Sequence, residues 1–242
     1  MTKTIFITGI SRGLGLEVTR HFLSKGQRVI GLSRTKSNGL SELIDNYPDT
    51  LLWKQYDLAV LCHEENTIRQ VLPIEETPID VFIDNAAILY KDLIHKIKGN
   101  EMSHMFTINV VVPIILTKMI INNFLRFKKP GVIVHMSSIC AHRAFNGLSM
   151  MGATKAAIEA FSRDTAFEYG RFGIRSNTVV AGLLEIGMKS TVNTHLTENL
   201  MAMTAMRKLV DTKSIVNIID YLVSDESHCI TGENININAG IV

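Results

Sequence analysis

Cysteine is scarce in this sequence, with three in 242 residues. Cys62, Cys140 and Cys229 are odd in number and lack CxxC spacing, which excludes a disulfide framework and leaves reduced core thiols. Only Cys140 lies close enough to a candidate active-site serine to react. Metal-ligand spacing is missing too: the histidines at 21, 63, 95, 104, 135, 142, 195 and 228 form no HxxxH or His/Cys pattern of a zinc site, so no metal is expected. Charge of one sign is nowhere concentrated. A net charge of +2 without blocks of like charge offers nothing to nucleic acid or to a membrane surface, and the expected partner is a small-molecule substrate.

Long hydrophobic runs are also wanting. The longest, Ile108 to Ile121, is interrupted by Asn109, Pro113, Thr117 and Lys118 and is short for a bilayer. The N-terminus passes straight into a strand-like run and a glycine loop, so no signal peptide is expected and the protein should be soluble and cytoplasmic. No Gly/Pro/Ser-rich linker, repeat or low-complexity tract divides the chain. With 46% apolar and 20% charged residues it reads as one compact domain, residues 1–242, with ample material for a core.

What is present is a regular alternation. Strand-like segments run from Lys3 to Thr8, Arg28 to Ser33, Thr50 to Tyr56, Asp80 to Asp84, Gly131 to Ser137, Ile174 to Val180 and Asn234 to Asn238, with helical stretches between most of them. Leu14, Val18 and Phe22 fall four apart on one face of the first helix. Near-continuous apolar strands separated by helices predict an α/β, doubly wound parallel sheet of Rossmann type, with seven strands and helices on both faces, the first six in the order 3-2-1-4-5-6. Residues 181–208 are irregular, follow the sixth strand, and form a candidate substrate lid. Met150, Met151, Met188, Met201, Met203 and Met206 lie in or near it and suit either an adaptable apolar pocket or plain packing.

"TGISRGLG", Thr8 to Gly15, closes the first strand and opens the first helix. Glycines at 9, 13 and 15 let the backbone turn sharply and approach a pyrophosphate, whose charge meets the helix N-terminus. Gly9, Ser11, Arg12, Gly13, Leu14 and Gly15 are therefore the expected dinucleotide contacts. At the end of the second strand an NAD site usually has an acid for the ribose hydroxyl, about 20 residues past the loop. Here stand Ser33 and Arg34, with no acid until Glu42. Two guanidinium groups, Arg12 and Arg34, suit a 2′-phosphate, so NADP(H) is preferred to NAD(H).

These segments, with "DNAA" (Asp84 to Ala87), "TINVVVP" around Asn109, "IVHMSS" ending at Ser138 and "ITGENININAG" (Ile230 to Gly240), resemble the short-chain dehydrogenase/reductase family over almost the whole chain. The nearest likeness is to 3-oxoacyl-carrier-protein reductases and related carbonyl reductases. The resemblance implies hydride transfer between a nicotinamide and a carbonyl. It assigns Ser138 to orienting the carbonyl oxygen, Lys155 to the nicotinamide ribose and Asn109 to a water relay. It adds Asp57, Leu58, Asn85, Ala86, Gly182 and Leu184 to the cofactor contacts, and it implies a homotetramer or homodimer formed through the helix around Asn109 and the helix from Gly152 to Tyr169.

Three positions depart from that likeness. Four residues before Lys155, where the family has a proton-donating tyrosine, stands Met151, whose thioether has no proton to give. Tyr90 and Tyr169 are the nearest tyrosines and neither lies in this turn. The Pro-Gly after the sixth strand is Ala181-Gly182, and the threonine beyond it is Ile186. Three readings stay open: an oxidoreductase that draws its proton from Ser138, water or substrate, or that protonates carbon, as in reducing a conjugated C=C bond; a catalytically silent cofactor-binding relative; or an engineered knock-out. Lys189, His195 and Arg207 are candidate anchors for an anionic substrate group. His142 is read as a solvated loop histidine although it can supply a proton, and Asp57 and Asp84 as capping or adenine contacts.

Overall fold

A computed structural model describes residues 2–62, 65–73, 75–184, 198–199 and 201–241. Seven parallel strands form one sheet in the order β3-β2-β1-β4-β5-β6-β7. They are β1 (Thr4–Thr8), β2 (Arg28–Ser33), β3 (Leu51–Gln55), β4 (Val81–Asp84), β5 (Gly131–Ser138), β6 (Ile174–Ala181) and β7 (Asn234–Ile237). The helices are α1 (Gly13–Ser24), α2 (Asn38–Asn46), α3 (Glu65–Val71), α4 (Gly99–Phe106), α5 (Val112–Phe127), α6 (Ser149–Tyr169) and α7 (Thr212–Val223).

Residues alternate across the sheet and so build two cores. Ile5, Ile7, Val29, Val81, Ile83, Val134 and Val179 meet Val18 and Phe22 of α1 and Ile215, Ile219 and Leu222 of α7. Phe6, Ile30, Leu32, Phe82 and Ile133 point the other way, onto Val112, Leu116, Ile120 and Phe124 of α5. Both faces are thereby covered, as parallel sheets require. The chain reverses strand order between β1 and β4, and a crevice opens at the carboxyl ends of these strands.

Two expectations need correcting. The apolar segment 108–121 belongs to a helix of 29 residues, Gly99–Phe127, long and apolar enough by length and composition to cross a membrane, although 56% of its most apolar window is buried inside the molecule. Asn109 and Pro113 do not interrupt it, because a π-turn over Thr107–Val111 joins α4 to α5 and the proline falls in the first turn of α5. Two of the thiols are not core residues, Cys140 being half-buried and Cys229 exposed, while the side chain of Cys62 lies outside the described residues.

Candidate active site

The glycine loop forms the floor of a cleft of about 570 Å³. Gly9 and Gly13 have φ of 76° and 61°, a conformation that costs a residue with Cβ. At Gly15 a Cβ would stand 2.2 Å from the Gly9 carbonyl oxygen and 2.5 Å from Asn85 Nδ2, so the loop closes on the helix only with hydrogen there. Arg12 occupies the N-cap of α1 without a side-chain cap, and no acid stands in the first turn. The first amide groups of the helix are left for an anion.

Thr8 ties this loop to β4. Its Oγ1 accepts from the amides of Asn85 and Ala86, both at 3.0 Å, and Asn85 Nδ2 donates to the Thr8 and Gly9 carbonyls at 3.0 and 3.3 Å. Of the residues expected to bind a dinucleotide, Gly9, Ser11, Arg12, Leu14, Gly15, Ser33, Arg34, Asp57, Leu58, Asn85 and Ala86 line the cleft. Leu32, Thr35, Tyr56, Ile88 and Ile108 line it as well and were not anticipated, although each neighbours a strand end or segment already singled out. Ser33 is buried, its hydroxyl donating to Thr35 O at 2.9 Å and accepting from Trp53 Nε1 at 2.8 Å. Arg12 and Arg34 are exposed, and neither pairs with a carboxylate among the described residues.

Gly13, Gly182 and Leu184 are not among the residues that line the cleft. Gly182 N donates to Ile237 O at 2.9 Å, and Leu184 bridges to Val210. Ile186, Met188, Lys189 and His195 lie outside the described residues, as does half of the candidate lid. Arg207 is exposed and donates to Ala202 O at 3.0 Å, while Met203 and Met206 are exposed.

At the other end of the crevice Asn109 is buried in the π-turn. Its amide makes a reciprocal pair with the backbone of Ile88, accepting from N and donating to O at 2.9 Å each. Nδ2 also reaches Thr154 Oγ1 at 3.3 Å and lies 4.0 Å from Met151 Sδ. Ser138 ends β5, and its Oγ accepts from Cys140 N at 3.3 Å. Met151, half-buried, and Lys155 share a face of α6.

Lys155 is not in the cleft lining. It is 5% exposed and its Nζ donates to Met136 O at 2.7 Å. Burial pushes its ammonium below the ordinary lysine range, and the carboxylates of Asp84 and Glu159 push back. Asp84 is neither an adenine contact nor a cap: it is 4% exposed, its Oδ2 lies 3.0 Å from His135 Nδ1 and its Oδ1 accepts from Thr8 Oγ1 at 3.4 Å. His142 is an exposed loop residue as expected, but it is not unpartnered: its Nε2 lies 3.0 Å from the buried Glu159 carboxylate. Asp57 does line the cleft, accepting from Ala59 N at 3.0 Å. Glu159 was missed, and its signal was an acid one turn beyond Lys155. Among the described residues no cluster of three or more His, Cys, Asp or Glu side chains is placed to hold a metal.

The family profile of enoyl-(acyl carrier protein) reductases matches residues 9–242. The chain is a short-chain dehydrogenase/reductase. This short-chain dehydrogenase/reductase is 26% identical over 240 residues to a 3-oxoacyl-[acyl-carrier-protein] reductase of Vibrio cholerae, covering 99% of this chain and 97% of that one. It is 26% identical over 242 residues to an L-xylulose reductase of Caenorhabditis elegans, covering 98% and 95%. Among solved structures, a 4-hydroxyisoleucine dehydrogenase complexed with NADH superposes with a TM-score of 0.92 at 26% identity, covering 100% of this chain and 99% of that one. The protein is thus an oxidoreductase by family.

Proposed function

We propose that this oxidoreductase uses NADP(H) and acts on a small, partly apolar carbonyl compound or conjugated enone, with its proton drawn from a source other than residue 151. The observation that carries the cofactor reading is the cleft between the glycine loop and the end of β2. There two exposed arginines line the cleft with Ser33, and no acid stands at the end of β2 to hold a ribose hydroxyl. NADH in the 4-hydroxyisoleucine dehydrogenase speaks for the other dinucleotide in that protein. The choice here rests on this chain's own arginines.

The residues fit such a group at its phosphate end. The first turn of α1, with Ser11, Gly13 and Leu14, would take the pyrophosphate, Arg12 and Arg34 a 2′-phosphate, Asp57 and Leu58 the adenine, and Asn85 and Ala86 the neighbouring ribose. Gly182 and Leu184 are assigned to the nicotinamide side. When bound, the cofactor supplies or accepts a hydride. The Ser138 hydroxyl orients a substrate oxygen by hydrogen bonding. Asn109 has its amide committed to Ile88 and so fixes the turn rather than donating freely.

Met151 takes the place where the family's tyrosine is expected and gives an apolar wall there. General acid catalysis is worth about 10²–10⁴-fold, so ketone reduction without it should be slow. A reaction that protonates carbon loses less. The reductases of acyl-carrier-protein thioesters among the relatives support a substrate with an apolar chain, and residues 181–208 remain the proposed lid.

A second reading is favoured by Lys155, whose Nζ is turned to Met136 O instead of the cleft. In it the chain binds the dinucleotide without turnover. Fluorescence titration with NADPH and NADH, followed by a turnover screen with ketones and conjugated enones, separates the two: binding with reduction of an enone supports the first, and binding with no turnover the second. Equal affinity for both dinucleotides refutes the NADP(H) assignment. A homodimer or homotetramer is proposed through the outer faces of α4–α5 and α6, where Met102, Val111, Ile114, Leu125 and Phe167 are exposed. Light scattering tests it, and a monomer at micromolar concentration refutes it.

A further inference from the structure

β3 is an edge strand of the sheet, next to β2. The register sets Trp53 beside Gly31 and Gln55 beside Ser33, so by the two-residue alternation of strands these four positions share one face. Trp53 is half-buried there, a setting in which an indole N–H takes a partner. Its Nε1 donates to Ser33 Oγ at 2.8 Å, and Ser33 Oγ donates in turn to Thr35 O at 2.9 Å. A serine hydroxyl rotates to suit its neighbours, and with the indole proton on one lone pair its own proton is left to Thr35 O. That bond closes the turn that carries Arg34. Gln55 adds a second clamp, its Nε2 donating to Arg34 O at 2.9 Å.

The far end of the turn is tied to the glycine loop. Ser37 Oγ donates to Ser11 O and accepts from Leu40 N at 3.2 Å, capping α2. Lys36 is exposed, and its ammonium rests 5.9 Å from the centre of the Trp53 ring, within cation–π range. Trp53 thus bears on residues 33–37 twice, by its edge through Ser33 and by its face through Lys36. Arg34 and Thr35 line the cleft. Among the described residues neither Arg34 nor Lys36 pairs with a carboxylate. A guanidinium carried on a preset turn meets a phosphate with less ordering left to pay for. A ribose hydroxyl makes no such use of it.

We propose that Trp53 is a positioning residue for cofactor choice, holding the Ser33–Thr35 turn so that Arg34 meets a 2′-phosphate. This deepens the functional reading above and rests on its assignment of NADP(H). NADH carries a hydroxyl where NADPH carries the phosphate, so loss of the hold weakens NADPH and leaves NADH nearly unaffected. Discrimination is the difference between the two affinities, and Trp53 acts on one of them.

Trp53 is the only tryptophan in the chain, so variants that lack it are titrated by calorimetry and not by their own emission. The ligands are NADPH and NADH, with adenosine 2′,5′-bisphosphate and 5′-AMP to separate the phosphate from the nicotinamide. Circular dichroism verifies the fold of each variant. Trp53→Phe keeps an aromatic face for Lys36 and removes the donor. In it NADPH and the bisphosphate should bind about three- to tenfold more weakly, the scale of one hydrogen bond, while NADH and 5′-AMP change by less than about twofold. Ser33→Ala removes the same bond from its other end and should give the same loss. The double variant should lose no more than either single one, as partners in one contact do. An unchanged ratio of NADPH to NADH affinity in folded Trp53→Phe overturns the proposal. So does an equal loss for all four ligands, which a merely structural role would produce. Should Trp53→Phe not fold, an unchanged ratio in Ser33→Ala overturns it instead. The two readings fail differently: equal wild-type affinities for NADPH and NADH sink the NADP(H) assignment and this role with it, and a wild-type preference that survives Trp53→Phe sinks the role of Trp53 alone.

Discussion

Replacing Asn109 by alanine should cost more stability than its single side chain suggests. The residue is 1% exposed, and its amide satisfies both the N–H and the C=O of Ile88 at 2.9 Å, with Thr154 as a further partner. Truncation leaves two backbone groups of the half-buried Ile88 without their partner. Each such group costs about 1–3 kcal/mol, giving ~2–6 kcal/mol for the pair. A chain of this size loses about 2–4 °C in Tm per kcal/mol, so Asn109→Ala should melt ~4–24 °C lower by circular dichroism.

Asn109→Asp separates hydrogen bonding from volume. The new carboxylate can accept from Ile88 N but repels Ile88 O, which favours its protonated form in the folded state. A group whose folded pKa is raised gives stability below its unfolded value, about 3.9 for aspartate, that is lost as pH rises. The variant should thus destabilise progressively above about pH 4 relative to the wild type. An Asn109→Ala variant within about 1 kcal/mol of the wild type, or an Asn109→Asp variant whose deficit does not grow with pH, would refute this account of the turn.

Three further outcomes are expected. Arg34→Asp should erase or invert the preference for NADPH over NADH in a fluorescence titration, by about tenfold or more in the affinity ratio, since it replaces a phosphate partner with a repelling carboxylate. Gly15→Ala should lose dinucleotide binding and about 1–3 kcal/mol of stability, because the methyl meets a backbone oxygen that cannot give way; unchanged NADPH affinity would contradict the close approach described for the loop. Met151→Tyr should gain or raise reduction of a simple ketone while leaving enone reduction unaffected or impaired, and no ketone reduction despite NADPH binding would mean that the site lacks more than a proton donor.

The strands were legible because each is a short, largely apolar or β-branched run between helical stretches, and all seven lie within two residues of their expected limits. Their order followed from the alternation with helices. The dinucleotide cleft was legible for the same reason, since Gly9, Gly13 and Gly15 carry a backbone requirement that no other residue meets. The substrate end was less so. A glutamate one turn after a lysine reads as a solvated helix pair, and nothing in α6 alone says that Ser137 and Asn234, distant in sequence, will close over Glu159. The partner of His142 was hidden likewise, as it lies 17 residues on. Pro113 looked like a break in an apolar run, yet the π-turn before it places the proline where its missing N–H does no harm.

The central claim, an oxidoreductase whose chemistry survives methionine at 151, is tested most directly by isotope transfer. The protein is incubated with NADPH deuterated at the reactive carbon of the nicotinamide and with a panel of conjugated enones and ketones, and the products are read by mass spectrometry. The account predicts deuterium on the β-carbon of a reduced enone at a rate well above that of any ketone. Demonstrated NADPH binding with no deuterium in any product would contradict it and leave the chain a cofactor-binding protein.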